Sequence, residues 1–96
     1  MYLKKHNNKK TEILALCDED LLGKTFVEKE LKLEIQKHFF KGKKIKKKEA
    51  LEELQKTRNA TLIGKKAITL ALHSGIVTKN QIFYIKKIPF ILIFEL

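Results

Sequence analysis

The sequence has one cysteine, one proline, one serine, one arginine, four glycines and no tryptophan. A lone Cys17 excludes an intramolecular disulfide and a multi-cysteine zinc site. With Pro89 the single proline and no Pro/Gly/Ser-rich linker or internal repeat, the 96 residues offer no place for a domain boundary. Catalysis is poorly supplied. Ser74 and Cys17 are the only side chains of their kind, and no nucleophile, base and orienting group are neighbours in the chain. Long apolar runs are missing too. Ile88–Phe94, Pro89 included, is far short of the ~20 residues that cross a bilayer. Met1–Lys10 is polar and basic, unlike a signal peptide. The expectation is a cytoplasmic protein with no membrane contact, no cofactor and no metal.

What is present is lysine. Lys+Arg is 21 against 11 for Asp+Glu, a net charge of +10, and 44% of residues are hydrophobic. Such a chain folds, with one modest core, and attracts polyanions. Twenty of the 21 basic residues are Lys, and Ile occurs 11 times. An A/T-rich genome would produce the same bias at exposed positions, which is the plain alternative to a nucleic-acid partner.

Patterning predicts an α+β fold: a small single domain, four to six short, mainly antiparallel strands with two helices packed on one side. Tyr2–Lys5 and Thr11–Cys17 read as a hairpin about His6-Asn7-Asn8-Lys9-Lys10, since Asn tolerates turn geometry. Asp18 is placed to cap a short turn that Gly23 closes, and Lys24–Val27 reads as extended. Leu31–Gln36 alternates with the period of a strand, ending near Phe39-Phe40. Lys46–Thr57 reads as a helix burying Ala50, Leu51 and Leu54. A second helix is expected from Thr61 to Ser74, capped by Asn59 or Thr61 and stopped by Gly75, with Gly64 in its first turn. Ile82–Ile85 and Ile88–Leu96 read as strands joined by a tight Lys86-Lys87 turn, the last covered on both faces.

Two basic segments are candidate phosphate sites. Lys37–Lys48 holds seven lysines and no acid: Lys37, Lys41, Lys43, Lys44, Lys46, Lys47 and Lys48, with His38 among them. Lysines give salt-sensitive, sequence-independent affinity. Phe39 and Phe40 would stack on a base only if exposed, and at least one belongs to the core. The second segment is Arg58-Asn59 with Gly64-Lys65-Lys66, where a helix start attracts anions and Gly64 permits close approach. A capped, packed helix start is the favoured reading there. Cys17-Asp18-Glu19-Asp20 reads as a buried thiol followed by acids complementing a helix dipole, not a cation site. His6, His38 and His73 lack partners at metal-ligand spacing, and His73 suits the last turn of its helix.

Six clusters carry a resemblance. They are Tyr2-Leu3-Lys4, Cys17-Asp18, Leu22-Gly23-Lys24, His38-Phe39-Phe40-Lys41-Gly42, Asn59-Ala60-Thr61-Leu62-Ile63-Gly64 with Ala67, and Ile88-Pro89. In this order they resemble the archaeal family of domains of unknown function numbered 424, over nearly the whole chain. The resemblance implies a small single-domain protein of a family often described as RNA-binding. Members often carry Phe-Tyr at Phe39-Phe40 and Pro-His at Pro89-Phe90. The missing His argues against catalysis.

The leading expectation is a non-catalytic RNA-binding protein acting with ribosomal RNA or tRNA. The alternative is a protein-interaction or homo-oligomeric module that pairs, or contacts a ribosomal protein, through Ile88–Leu96.

Overall fold

The computed structural model describes residues 1–7 and 11–94. Of the expected turn at 6–10, His6 and Asn7 instead continue the first strand, paired with Ile13 and Glu12, and residues 8–10, like 95–96 of the tail, lie outside the described residues. The chain is α+β. Among the described residues, eight strands are β1 (Tyr2–Asn7), β2 (Glu12–Cys17), β3 (Thr25–Glu28), β4 (Leu31–Glu34), β5 (Lys43–Lys44), β6 (Ala60–Ile63), β7 (Phe83–Ile85) and β8 (Ile88–Ile93). Three helices are α1 (Lys37–Phe40), α2 (Lys47–Lys56) and α3 (Lys65–Ser74). Six strands form one mixed sheet in the order β5-β1-β2-β6-β8-β7, and β3-β4 is a separate hairpin.

The sheet is covered differently on its two faces. Leu14, Leu16, Leu62 and Ile91 point to one side, where they pack with Ala50 and Leu54 of α2 and Ala67, Ile68 and Ala71 of α3. Fully burying such aliphatic side chains contributes about 1.5–3 kcal/mol each. On the other side, Ala15, Cys17 and Ile63 pack against Leu21, Ile35 and Phe40, with Phe26 and Leu33 of the hairpin behind them. The two expected helices therefore share one side, and a hairpin with one helical turn fills part of the other.

Two expected elements are corrected. The second helix does not begin at Thr61, because Ala60–Ile63 is the central strand β6. It pairs in parallel with β2 (Leu14 with Ala60, Cys17 with Ile63) and antiparallel with β8 (Ile63 with Phe90). Four residues between two partners gain a ladder on each edge and burial on both faces, which one extra helical turn would not supply. Gly64, at φ +111°, turns the chain from strand to helix. Phe39-Phe40 do not end a strand but close the single turn α1, where the Phe40 N–H donates to the Gln36 carbonyl at 3.1 Å. Phe40 is buried, while Phe39 stacks on His6 with ring centroids 4.3 Å apart.

The last strand is internal where β7 reaches it. Phe83 pairs with Phe90 and Ile85 with Ile88, and Lys86 and Lys87 both adopt positive φ in the two-residue turn between them. Among the described residues, Leu92 and Phe94 remain exposed.

Cys17 is fully buried at the end of β2. Burial first, then the Asp18 charge beside it, pushes its thiol up to about 11. Native protein should therefore not react with a thiol reagent at neutral pH until it is unfolded. The folded-state value lies above the unfolded one, so the neutral thiol's contribution is complete below pH ~9 and is lost as pH rises towards ~11. Denaturant midpoints measured across that window should fall, and a native thiol that reacts at neutral pH would contradict this placement.

Candidate functional site

Strand directions decide which basic residues meet. β2 and β6 both run upward to Cys17 and Ile63. α2 starts after β5, which ends beside Tyr2, and α3 starts after Gly64. Both helices therefore open at the same end of the sheet, beside the β7–β8 turn. Lys46, Lys47, Lys48, Lys65 and Lys66 lie at that end, with Lys44 at its β5 edge and Lys86 and Lys87, which the sequence shows only as a turn, towards its β7 edge. Lys47 comes from α2, and Lys65, Lys66, Thr69, Leu70 and His73 from α3, round a groove of about 230 Å³. Lys66, Thr69 or Leu70, and His73 recur at helical spacing and so share one face of α3.

Two backbone N–H groups at the α3 start, those of Lys66 and Ala67, are already taken. Asp18 is 5% exposed, and its carboxylate accepts from Lys66 N–H at 3.0 Å and from Ala67 N–H at 2.9 Å. Gly64 leaves the room that the carboxylate fills, since a Cβ there would overlap Asp18 Cγ and stand 2.6 Å from Oδ2. The capped helix start is thus the observed state, and the cap comes from the acid cluster 48 residues earlier. Asp18 flanks the short turn Glu19–Leu21 but makes no side-chain cap bond to it. What α3 offers a ligand is chiefly the side chains of Lys65 and Lys66, since the Lys66 and Ala67 amides are bonded to Asp18.

A larger groove of about 740 Å³ adjoins this one, lined by Asp18, Glu19 and Asp20 as well as Lys65 and Lys66. Its acids oppose a phosphate. Lys44 is turned to this wall, 2.8 Å from Glu19, and this hydrogen bond holds the Glu19 carboxyl below its ordinary value. Lys43 pairs with Glu49 at 2.9 Å. Among the described residues, Lys46, Lys47, Lys48, Lys65 and Lys66 form no salt bridge.

The other expected site residues are dispersed. The Lys37–Lys48 run wraps round the β5 edge, so Lys37, His38 and Lys41 lie with α1 on the opposite face of the sheet from α2. There Lys4 Nζ donates to the His38 carbonyl. Arg58 and Asn59 lie at the far end of β6. They do not join Lys65 and Lys66, because four strand residues at about 3.3 Å each stand between. Phe40 is buried and Phe39 is stacked on His6, which leaves neither as an open platform. Among the described residues, no group of three His, Cys, Asp or Glu side chains is arranged to hold a metal ion. Among the described residues, no helix is long and apolar enough to cross a membrane.

No curated protein matches the chain. Its structure is similar to the crystal structure of an uncharacterized conserved protein from Methanopyrus kandleri. That comparison has a TM-score of 0.79 and 27% identity, covering 96% of this chain and 88% of that one. A family model described as "Protein of unknown function (DUF424)" matches residues 6–96. By that match, which takes in the clusters from Cys17 to Pro89, the chain belongs to the DUF424 family.

Proposed function

We propose that the protein is a small, non-catalytic RNA-binding protein that holds phosphates of a structured RNA, of the ribosomal or transfer kind, with lysine side chains. One observation carries this reading: Lys47 meets Lys65 and Lys66 round a groove that also offers Thr69 and His73. These lysines occupy the first turns of their helices, the positive end of each dipole, where a cation costs about 0.3–1 kcal/mol. A bound phosphate removes that cost. Lysine drift at exposed positions would have no reason to prefer those turns.

Lysine without arginine favours point-charge contact over bidentate base reading. Binding should therefore be tight at low salt and tolerant of sequence. In a filter-binding titration of a structured RNA, the log of the association constant should fall linearly with log salt, with a slope of about −2 to −4 for three to five phosphates. A flat slope, or no binding at low salt, overturns the proposal.

A homo-oligomeric or protein-interaction module is the second reading. It rests on β8 beyond Phe90, where β7 no longer covers the outer edge and Leu92 is 47% exposed. Two copies would bring +10 against +10, which places this reading behind the first.

A further inference from the structure

The β7–β8 hairpin turns on two lysines held in a conformation that lysine disfavours. Ile85 pairs with Ile88, so Lys86 and Lys87 are the two central residues of the turn, with φ of +50° and +66°. A two-residue hairpin turn with positive φ at both positions favours Asn-Gly or Gly-Gly, which meet it without the crowding that a lysine Cβ brings. Composition bias does not account for the choice. Asn and Gly each occur four times in the sequence, and neither stands here. Packing does not account for it either. Both lysines are exposed, and among the described residues neither forms a salt bridge. What the two side chains add to the turn is charge and reach.

The turn stands beside the start of α3. The Gly64 N–H donates to the Pro89 carbonyl at 2.9 Å. Lys65 follows Gly64 directly, and Lys87 precedes Pro89 by two strand steps of about 3.3 Å each. Ile88, next to the turn, lines the groove of about 740 Å³ together with Lys65 and Lys66. Asp18, Glu19 and Asp20 line that groove as well, but Asp18 is bonded to the α3 amides and Glu19 to Lys44. Lys65, Lys66, Lys86 and Lys87 therefore stand against Asp20, a surplus that favours an anion. Lys29, at φ +56° in the β3–β4 turn, is the contrast. Glu28 and Glu30 flank it and offset its charge, whereas residues 83–89 hold no acid.

We infer that Lys86 and Lys87 are further phosphate contacts of the RNA held by Lys47, Lys65 and Lys66, and that the turn keeps lysine there although Asn-Gly would make the fold more stable. The inference rests on the RNA-binding reading above and extends its site from the α2–α3 groove, across that end of the sheet, to the β7 edge. An unfavourable backbone conformation persists where the surrounding structure holds it and the side chain acts. Here the strand pairs that enter and leave the turn hold it. An RNA backbone crossing this end meets the α3 lysines and then the turn, each as point charges along its phosphates.

The test sets stability against affinity in the full chain, with transfer RNA as the probe. Lys86→Asn/Lys87→Gly, which suits the turn, should raise the thermal midpoint by about 5–10 °C. The same variant should bind transfer RNA about ten- to hundredfold more weakly at about 0.1 M salt, with a log–log slope flatter by about 1–2 units. Lys86→Gln/Lys87→Gln removes the charge and keeps the unfavourable φ, so it should weaken binding as much while the midpoint stays within a few degrees of the native one. Lys29→Gly relieves the other turn and should raise the midpoint alone, with affinity and slope as in the native protein. Native affinity and slope in either Lys86/Lys87 variant overturn the inference and leave the α2–α3 groove standing. A midpoint that does not rise in the first variant overturns it too, since lysine then fits the turn without loss. Failure of the native protein to bind transfer RNA at low salt overturns both readings.

Discussion

Gly64→Ala lowers the stability of this protein by about 3 kcal/mol or more. Two costs add. Gly64 sits at φ +111°, a conformation that L side chains rarely adopt, and the new methyl would overlap Asp18 Cγ. Asp18 cannot swing aside without giving up its bonds to the Lys66 and Ala67 amides. For a chain of 96 residues this corresponds to a fall in Tm of about 15–20 °C. A melt of the variant by circular dichroism reads it directly. A midpoint within a few degrees of the native one would show that the strand-to-helix junction is not built as described.

Asp18→Ala should cost about 2–3 kcal/mol. It removes an N-cap, strands two amide donors at the start of α3 and deletes the negative charge that faces the helix dipole. Asp18→Asn should cost roughly half as much, since the carboxamide offers one accepting oxygen where the carboxylate offers two. The two sites are coupled. With Ala at 18 the space beside residue 64 opens, so the Asp18→Ala/Gly64→Ala double variant should be less destabilised than the two single changes summed, by about 1–2 kcal/mol. Urea unfolding of the four proteins measures the cycle. Strict additivity would mean that the carboxylate and the glycine do not answer each other.

These two residues also mark where sequence reading stops. The β7–β8 hairpin is legible because Ile82–Ile85 and Ile88 onward flank two turn residues, and α2 because Ala50, Leu51 and Leu54 recur at helical spacing. β6 is not legible in the same way. Ala60-Thr61-Leu62-Ile63 is continuously apolar apart from Thr61, and a buried strand shows no period to set it apart from the opening of a helix. The same ambiguity hides α1, whose single turn is too short to display one. Asp18 was placed correctly beside a helix dipole, but of the wrong helix. Its partners lie 48 and 49 residues away, and only the parallel pairing of β2 with β6 brings the end of one strand to the helix that follows the other. Local signals reach the turn after Cys17 and no further.

The candidate site divides in the same manner. The lysine run at 37–48 was visible as charge, but its distribution over two faces and one edge follows from the turn at α1 and the edge strand β5. Lys65 and Lys66 were visible beside Gly64. Their association with Lys47, Thr69 and His73 needed α2 and α3 to start at one end of the sheet. Arg58 and Asn59 group with them only if the second helix begins at Thr61, where the structure has the strand Ala60–Ile63. The exposure of Phe83 and Leu92 has no sequence signal beyond apolar alternation, because which side chains a sheet leaves uncovered depends on what packs over it.

The central claim is that position, not net charge, makes the lysine groove. Lys47→Glu/Lys65→Glu/Lys66→Glu and Lys24→Glu/Lys29→Glu/Lys79→Glu reverse three exposed lysines each and lower the net charge equally. Binding of one structured RNA should be measured across salt for both and for the native protein. The groove variant should lose most of its affinity, and its log–log slope should flatten by about 2–3 units, while the control keeps a slope close to the native one. Equal losses in the two variants would contradict the claim and leave the lysines as undirected charge.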